Sequence, residues 1–396
     1  MNRHQTTHMR IFLLFMGIEM IAANIAHPIT PTLMKNLHMP DYMFGLAYAG
    51  MAFTNFLFSP FWAKMVSNLG SRITLLVCCM GYGFGQFLFM ISSTTSMILV
   101  ARLVSGSFVA GILVSFLTYT IHFVSQEERG KYLAYNATVS SVASAFGYVI
   151  GGFVGVVSIH LTFFVQVVLL ISSAWIFFFY LKDDRMQERK KVHILKEANP
   201  LKAFMDAKNF MNVSFMLLFA VVFFTSFATT TYDQSFNYFI KDIFNFSSAY
   251  NGVLKAIVGL VSFVANTTLC LWLMRNTDVH KSLMAIFIGA SLCLFGMYLA
   301  LDRMPFMIIN LIFFAFNAMY VPLIQSACAK APEEKDKNQI MGFYNSMKGL
   351  GMIAGGIFAG VVYGLGARLP FLFSGIFFVI ACMLMFLLYR YTKVEA

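Results

Sequence analysis

The sequence predicts an all-α membrane protein with twelve transmembrane helices in two pseudo-symmetric six-helix bundles. Three observations carry that prediction: an apolar composition, the length of the apolar runs, and the placement of Lys and Arg between them. Of 396 residues, 59% are hydrophobic and only 11% are charged, against about a quarter charged in a soluble domain. The excess apolar surface has to face lipid. At about 20 residues per crossing the chain has room for roughly ten to thirteen helices. The runs are long and unbroken rather than alternating, which excludes a β-barrel.

Taken in order, the spans are 10–34, 42–66, 72–92, 95–123, 131–157 and 159–181, then 210–240, 248–274, 280–301, 304–329, 338–364 and 367–390. The first opens behind Arg3, His4, His8 and Arg10, like a signal peptide. No small-residue cleavage site follows, and the run continues with Glu19 inside it, so it reads as a retained span. The second and third part at Gly70 and Arg72. The eleventh is rich in glycine and weak in hydropathy, and its counterpart at 131–157 supports it. The stretch 182–209, with the run Arg189-Lys190-Lys191, reads as a cytoplasmic linker between bundles at 1–181 and 210–396.

Charge tests the count. With the N-terminus inside, the inner segments hold 21 Lys and Arg residues, the outer segments hold only Lys35, Lys241, Arg303 and Arg368, and three lie within spans. A miscounted helix would scramble this bias downstream of the error, so the alternation predicts both termini in the cytoplasm. The net charge of +11 is then mostly topological, with attraction to anionic lipid second, and needs no nucleic-acid partner. An internal repeat supports six plus six. Glu127-Glu128-Arg129 precedes Gly151-Gly152 by 24 residues, and Glu333-Glu334-Lys335 precedes Gly355-Gly356 by 22. Two parallel halves of this kind suit a transporter with a central site.

The six cysteines form no CxxC pair and read as small buried hydrophobes. No phosphate loop, His-Glu-x-x-His or paired-carboxylate pattern is present, so the sequence predicts neither an enzyme nor an ATP-driven pump, and no cofactor or metal.

Ionisable groups inside spans are costly and are functional candidates by default. Five stand out: Glu19, Arg102, Asp233, Lys255 and Lys348. Glu19 lies about ten residues, or roughly 15 Å, into the first span. A carboxyl at that depth can hold a proton while dry and release it when the cavity wets. Arg102 stays charged at any accessible pH; it can pair with Glu19, tune its proton affinity, or snorkel to an interface. Asp233 follows Tyr232 and reads as a second acidic site, a substrate contact or half of an ion pair with Lys255. Lys348 can attract an anionic group or neutralise a helix end. Tyr232, Asn310, Asn317 and Tyr320, with Phe223, Phe224 and Phe227, suggest an aromatic and amide cavity wall suited to amphipathic substrates. Pro28 and Pro31 should kink the first span beside His27.

These residues resemble the major facilitator superfamily along essentially the whole chain, and more closely its twelve-span drug:proton antiporter branch. The likeness rests on Ala26-His27-Pro28-Ile29-Thr30-Pro31, Gly45, Ser59-Pro60, Gly70 with Arg72, Arg102 with Gly106 and Gly111, and Gly147-Tyr148-Val149-Ile150-Gly151-Gly152. Two positions depart from it. The loop signature Gly-x-x-x-Asp-Arg-x-Gly-Arg has Ser67 for its acid, so the charge relay of the inner gate is absent or rebuilt. Tyr148 stands where the antiporter motif has proline.

The resemblance implies a secondary transporter in a bacterial plasma membrane, most simply a monomer, exporting a small amphipathic compound by alternating access with proton influx. In that reading Glu19, Arg102 and Asp233 couple protons. Glu19, Arg102, Tyr232, Asp233, Lys255, Asn310, Asn317, Tyr320 and Lys348 bind substrate. Pro28, Pro31, Gly70, Arg72, Gly147, Gly151 and Gly152 serve gating. A glycolipid flippase, an uptake symporter and a ligand sensor remain open as alternatives.

Overall fold

The computed structural model describes residues 3–182, 184, 199, 201, 204–205, 211–328 and 334–395. Most of the linker expected at 182–209 lies outside these residues, as do Glu333 and the side chains at 334–339 that carry the second half of the expected repeat. Among the described residues the structure is helical, without a strand. The helices are α1 (Arg3–Asn24), a 3₁₀ turn (His27–Ile29), α2 (Thr30–Asn36), α3 (Met43–Met90), α4 (Thr95–Phe123), α5 (Arg129–Val157) and α6 (Ile159–Tyr180). They continue as α7 (Val213–Asp242), α8 (Ser248–Ala265), a π turn (Asn266–Cys270), α9 (Leu271–Asn276), α10 (Val279–Leu299), α11 (Arg303–Cys328), α12 (Glu334–Leu365) and α13 (Leu369–Glu395).

Among the described residues, eleven helical stretches are long and apolar enough to cross a bilayer. One of them, α3, has 48 residues, or about 72 Å at 1.5 Å each, more than twice the hydrocarbon thickness. It breaks at Gly70 (φ 78°, ψ 161°), a conformation open essentially to glycine alone. Counted as two crossings it completes the twelve of the sequence reading. Exposed Phe179, Val157 and Leu365 make sense only in lipid, each being at least 75% accessible.

The described contacts divide the chain into two compact units. One comprises Met1–Met39, Gly50–Pro200 and Phe246–Ala256, and the other Pro40–Ala49, Leu201–Asn245 and Ile257–Ala396. The first end of α3 therefore packs with α7 and α12, and the first end of α8 packs with α5.

In the first unit α1 lies against α5 and α6. Glycine permits that approach. A Cβ on Gly147 or Gly151 would collide with the carbonyls of Ile21 and Ile25, and one on Gly152 with that of Ser248. The core joins Phe12, Trp62, Tyr82, Phe116, Tyr119 and Phe177 from five crossings. In the second unit α7 packs on α12 and α13, and α10 on α11 and α13. Phe236, Phe239, Phe306 and Phe371 interlock there in stacked and edge-on pairs, and Phe313 packs tilted on Tyr232.

Candidate functional site

Each unit holds polar groups clustered inside its apolar packing. The cluster of the first unit begins with the break in the first crossing. α1 stops at Asn24 because Pro28 has no N–H to offer the Asn24 carbonyl. Carbonyls at the broken end need other donors, since water is absent at that depth. Gln166 Nε2 on α6 donates to the carbonyls of Ala22 (3.0 Å) and Ala23 (3.2 Å), and the Tyr82 hydroxyl on α3 donates to Ala23 (3.1 Å). Asn24 Nδ2 donates to the Met20 carbonyl and to Ser144 Oγ on α5.

Glu19 sits fully buried, one turn before this break. Its Oε2 accepts from Ser173 Oγ on α6, and the Cys79 thiol on α3 also hydrogen-bonds the carboxyl. Oε1 has no partner, and no cation lies in ion-pair range among the described residues. Arg102 on α4 is 6% exposed, and it meets Thr30 Oγ1 at 3.4 Å, Met51 Sδ at 3.7 Å and the ring of Phe89 at 4.0 Å. The Glu19–Arg102 pairing weighed from sequence is not made. His27, Thr30, Tyr82, Gln86 and Gln166 gather around the guanidinium and leave a cleft too narrow for a water molecule. His27 stacks on Tyr148, the residue that replaces the antiporter proline, at 5.5 Å and 12°. Pro28 and Pro31 are both buried.

The second unit brings together Thr229, Asn317 and Tyr320. Thr229 Oγ1 on α7 donates to Asn317 Oδ1 (3.2 Å) and lies 2.9 Å from the Tyr320 hydroxyl, both on α11. Tyr232 and Asn310 are enclosed more deeply, hydrogen-bonded to each other and 0% exposed. Asp233 is half-buried near Tyr48, whose hydroxyl bonds Thr230. Phe227 packs on Phe377 and Phe358, and Phe224 stacks on Phe377. Lys348, half-buried on α12, makes no hydrogen bond or ion pair among the described residues. Lys255 falls in the first unit and Asp233 in the second.

At the Gly70 break the missing loop acid has a counterpart. Asp184, 6% exposed, accepts from the Ser71 N–H (2.6 Å) and from Ser71 Oγ (2.5 Å). It caps the helix that restarts after Gly70, while Arg72 lies over the Phe178 ring at 4.4 Å. Sequence reasoning did not find Ser173, Cys79, Tyr48, Gln86, Gln166 or Asp184. Each is a common residue type with its partner on another helix; Gln86 and Gln166 carried a local signal, an amide within an apolar run.

A helical chain of this many apolar crossings, with polar groups sequestered inside each half, is a multi-pass membrane transporter. The family model for the Major Facilitator Superfamily matches residues 12–333 and 299–396, and the chain belongs to that superfamily. It is 23% identical to Multidrug resistance protein 2 of Bacillus subtilis (strain 168) over 368 residues, 92% of this chain and 90% of the relative. It is 25% identical to the Quinolone resistance protein NorA of Staphylococcus aureus over 158 residues, 40% of this chain and 39% of that one. Among solved structures it shares its fold with the nucleoside transporter NupG (TM-score 0.77, 15% identity, 98% and 100% of the chains). It shares the fold also with an inward-facing bacterial homologue of the lysosomal transporter Spinster (TM-score 0.75, 12% identity, 98% of each chain).

Proposed function

We propose that this protein exports a small amphipathic compound by alternating access, driven by proton influx through Glu19. The observation that carries the reading is the carboxyl itself: 0% exposed, held by a hydroxyl and a thiol, and without a cation among the described residues. Such a group is comfortable neutral and costly charged. Proton loss therefore needs water or a countercharge to reach it, which couples protonation to opening of the cavity. Substrate binding is then favoured in the deprotonated state, and reprotonation resets the cycle. The multidrug and quinolone resistance names of the relatives support efflux over uptake.

In this reading Thr229, Asn317 and Tyr320 form a hydrogen-bonding wall, Phe223, Phe224 and Phe227 supply apolar contact, and Asp233 and Lys348 add charge near the substrate path. Tyr232 and Asn310 support that wall from behind. Pro28, Pro31, Gly147, Gly151 and Gly152 give the first crossing a pivot, and Gly70, Arg72 and Asp184 hold the inner end of the first unit. The protein works as a monomer in a bacterial plasma membrane with both termini in the cytoplasm, supported by the Lys and Arg distribution and by the bacterial relatives.

Proteoliposomes under an imposed pH gradient test this. Wild-type protein should drive uphill flux of a fluorescent amphipathic dye, and Glu19→Gln should abolish the gradient-driven part while keeping the wild-type melting profile. Wild-type flux indifferent to the gradient would falsify proton coupling.

A further inference from the structure

We propose that the corner where α10 begins and α13 ends is a docking site for an anionic phospholipid, which sets its phosphate among Lys281, Arg390 and Lys393 and lays its chains along α13. The corner belongs to the second unit, at the end of the crossings that the Lys and Arg distribution assigns to the cytoplasm. Two like charges are drawn there onto one ring. Lys281 Nζ and Lys393 Nζ stand 5.8 Å and 5.1 Å from the centroid of Tyr389, and the Tyr389 hydroxyl accepts from both ammonium groups. The guanidinium of Arg390, next along α13, lies 5.1 Å from the Phe386 ring centroid. All three cations are exposed.

Aromatic faces attract these cations without neutralising them. Among the described residues Lys281, Arg390 and Lys393 make no ion pair. The nearby carboxylate, Asp278, accepts from the N–H groups of His280 and Lys281 and lies 3.4 Å from the His280 ring nitrogen. Two ammonium groups that share one neutral hydroxyl repel each other. An anion seated between them replaces that repulsion with charge-assisted bonds. Charge alone suits any phosphate, and the flank of α13 selects a lipid. Met383 (61% exposed), Phe386 (45%) and Leu387 (52%) continue from the basic corner along the same helix. Lys and Arg at the end of a span reach the headgroup layer, while apolar side chains deeper on the helix meet the acyl chains. A free phosphate would use the cations and leave that apolar flank uncovered. None of this rests on the efflux reading above.

The test uses the full-length protein in a mild detergent, with melting temperature read during titration of phosphatidylglycerol, phosphatidylcholine or inorganic phosphate. Phosphatidylglycerol should raise the wild-type melting temperature at lower concentration than phosphatidylcholine. The double variant Lys281→Gln with Lys393→Gln should melt with wild type in phosphatidylcholine. It should need about tenfold to thirtyfold more phosphatidylglycerol for the same shift, each basic residue near a membrane surface being worth about fivefold. Should that variant fold poorly, Lys393→Gln alone carries the test, with a loss of about fivefold. Arg10→Gln with Lys131→Gln removes two exposed cations from the first unit and should leave the phosphatidylglycerol response unchanged. Equal responses of wild type to the two lipids, or an equal loss in the two double variants, overturns the site. A phosphate response equal to that of phosphatidylglycerol overturns the lipid as its occupant.

Discussion

Ser173 and Cys79 reach Glu19 from two other crossings, and this is where reading the sequence meets its limit. Glu19 and Arg102 were visible because an ionisable group stands out within an apolar run. Serine and cysteine do not, and the Ser173 contact spans 154 positions. The Tyr232–Asn310 pair makes the same point inside the second unit. Both residues looked like cavity lining from their types, and the structure encloses them completely. That geometry makes a prediction. Tyr232→Phe leaves the Asn310 amide unpaired in an apolar core and should cost about 1–3 kcal/mol. Combining Tyr232→Phe with Asn310→Leu should restore much of the loss. Melting of the two variants in one detergent measures both effects, and an additive double variant would refute the pairing as a source of stability.

At the scale of the helix, boundaries were legible wherever a proline, a glycine or a cap forces them. Gly70 is the clearest instance. Its φ of 78° with ψ of 161° suits no other residue without strain, so Gly70→Ala should destabilise the protein by about 1–3 kcal/mol. The same substitution at Gly364, where a Cβ meets nothing within 4 Å, is the matched control. Asp278 caps α10, accepting from the N–H groups of His280 (2.8 Å) and Lys281 (3.2 Å). Partial burial pushes its carboxyl up, but those two N–H groups and the His280 ring outweigh burial and leave it below the usual range. A carboxyl lowered on folding stabilises above its unfolded value and loses that contribution as pH falls through the folded one. Asp278→Ala should therefore cost about 1 kcal/mol at pH 7, and the gap from wild type should narrow only below about pH 4. A gap unchanged down to pH 3 would mean that the cap is not ionic. What the sequence left hidden at this scale was the seam between α1 and α5. Glycines 147 and 151 announced close packing, and nothing in their spacing named Ile21 and Ile25 as the backbone they meet.

For the whole molecule, composition, run length and charge bias were enough for the helical membrane fold, because each reflects the bilayer as solvent rather than any particular contact. The partition of contacts was not readable. Residues 40–49 precede the rest of α3 in sequence yet cluster with the second unit, and 246–256 cluster with the first. Periodicity within a helix says which face is apolar and not which neighbour that face will meet. The departure at Ser67 shows the same limit, since the acid that serves the Gly70 break lies 113 positions beyond Ser71. Asp184→Ala strips two charge-assisted bonds from a buried serine and should lower stability by about 1.5–3 kcal/mol. Ser71→Ala, which keeps the backbone donor, should cost less. Reversal of that order in thermal melts would show that the backbone cap is not the dominant contact.

The Asp184 cap also bears on where the polypeptide can be cut. The stretch joining the halves is pinned at its start, through Asp184, to the helix that follows Gly70. A gene split just beyond Asp184 would give a first fragment that carries its own fastener. One split before Lys182 would leave that fastener on the wrong piece, with the Ser71 amide bare. Coexpressed fragments of the two designs, compared for reassembly and yield, would differ although their cleavage points lie only a few residues apart.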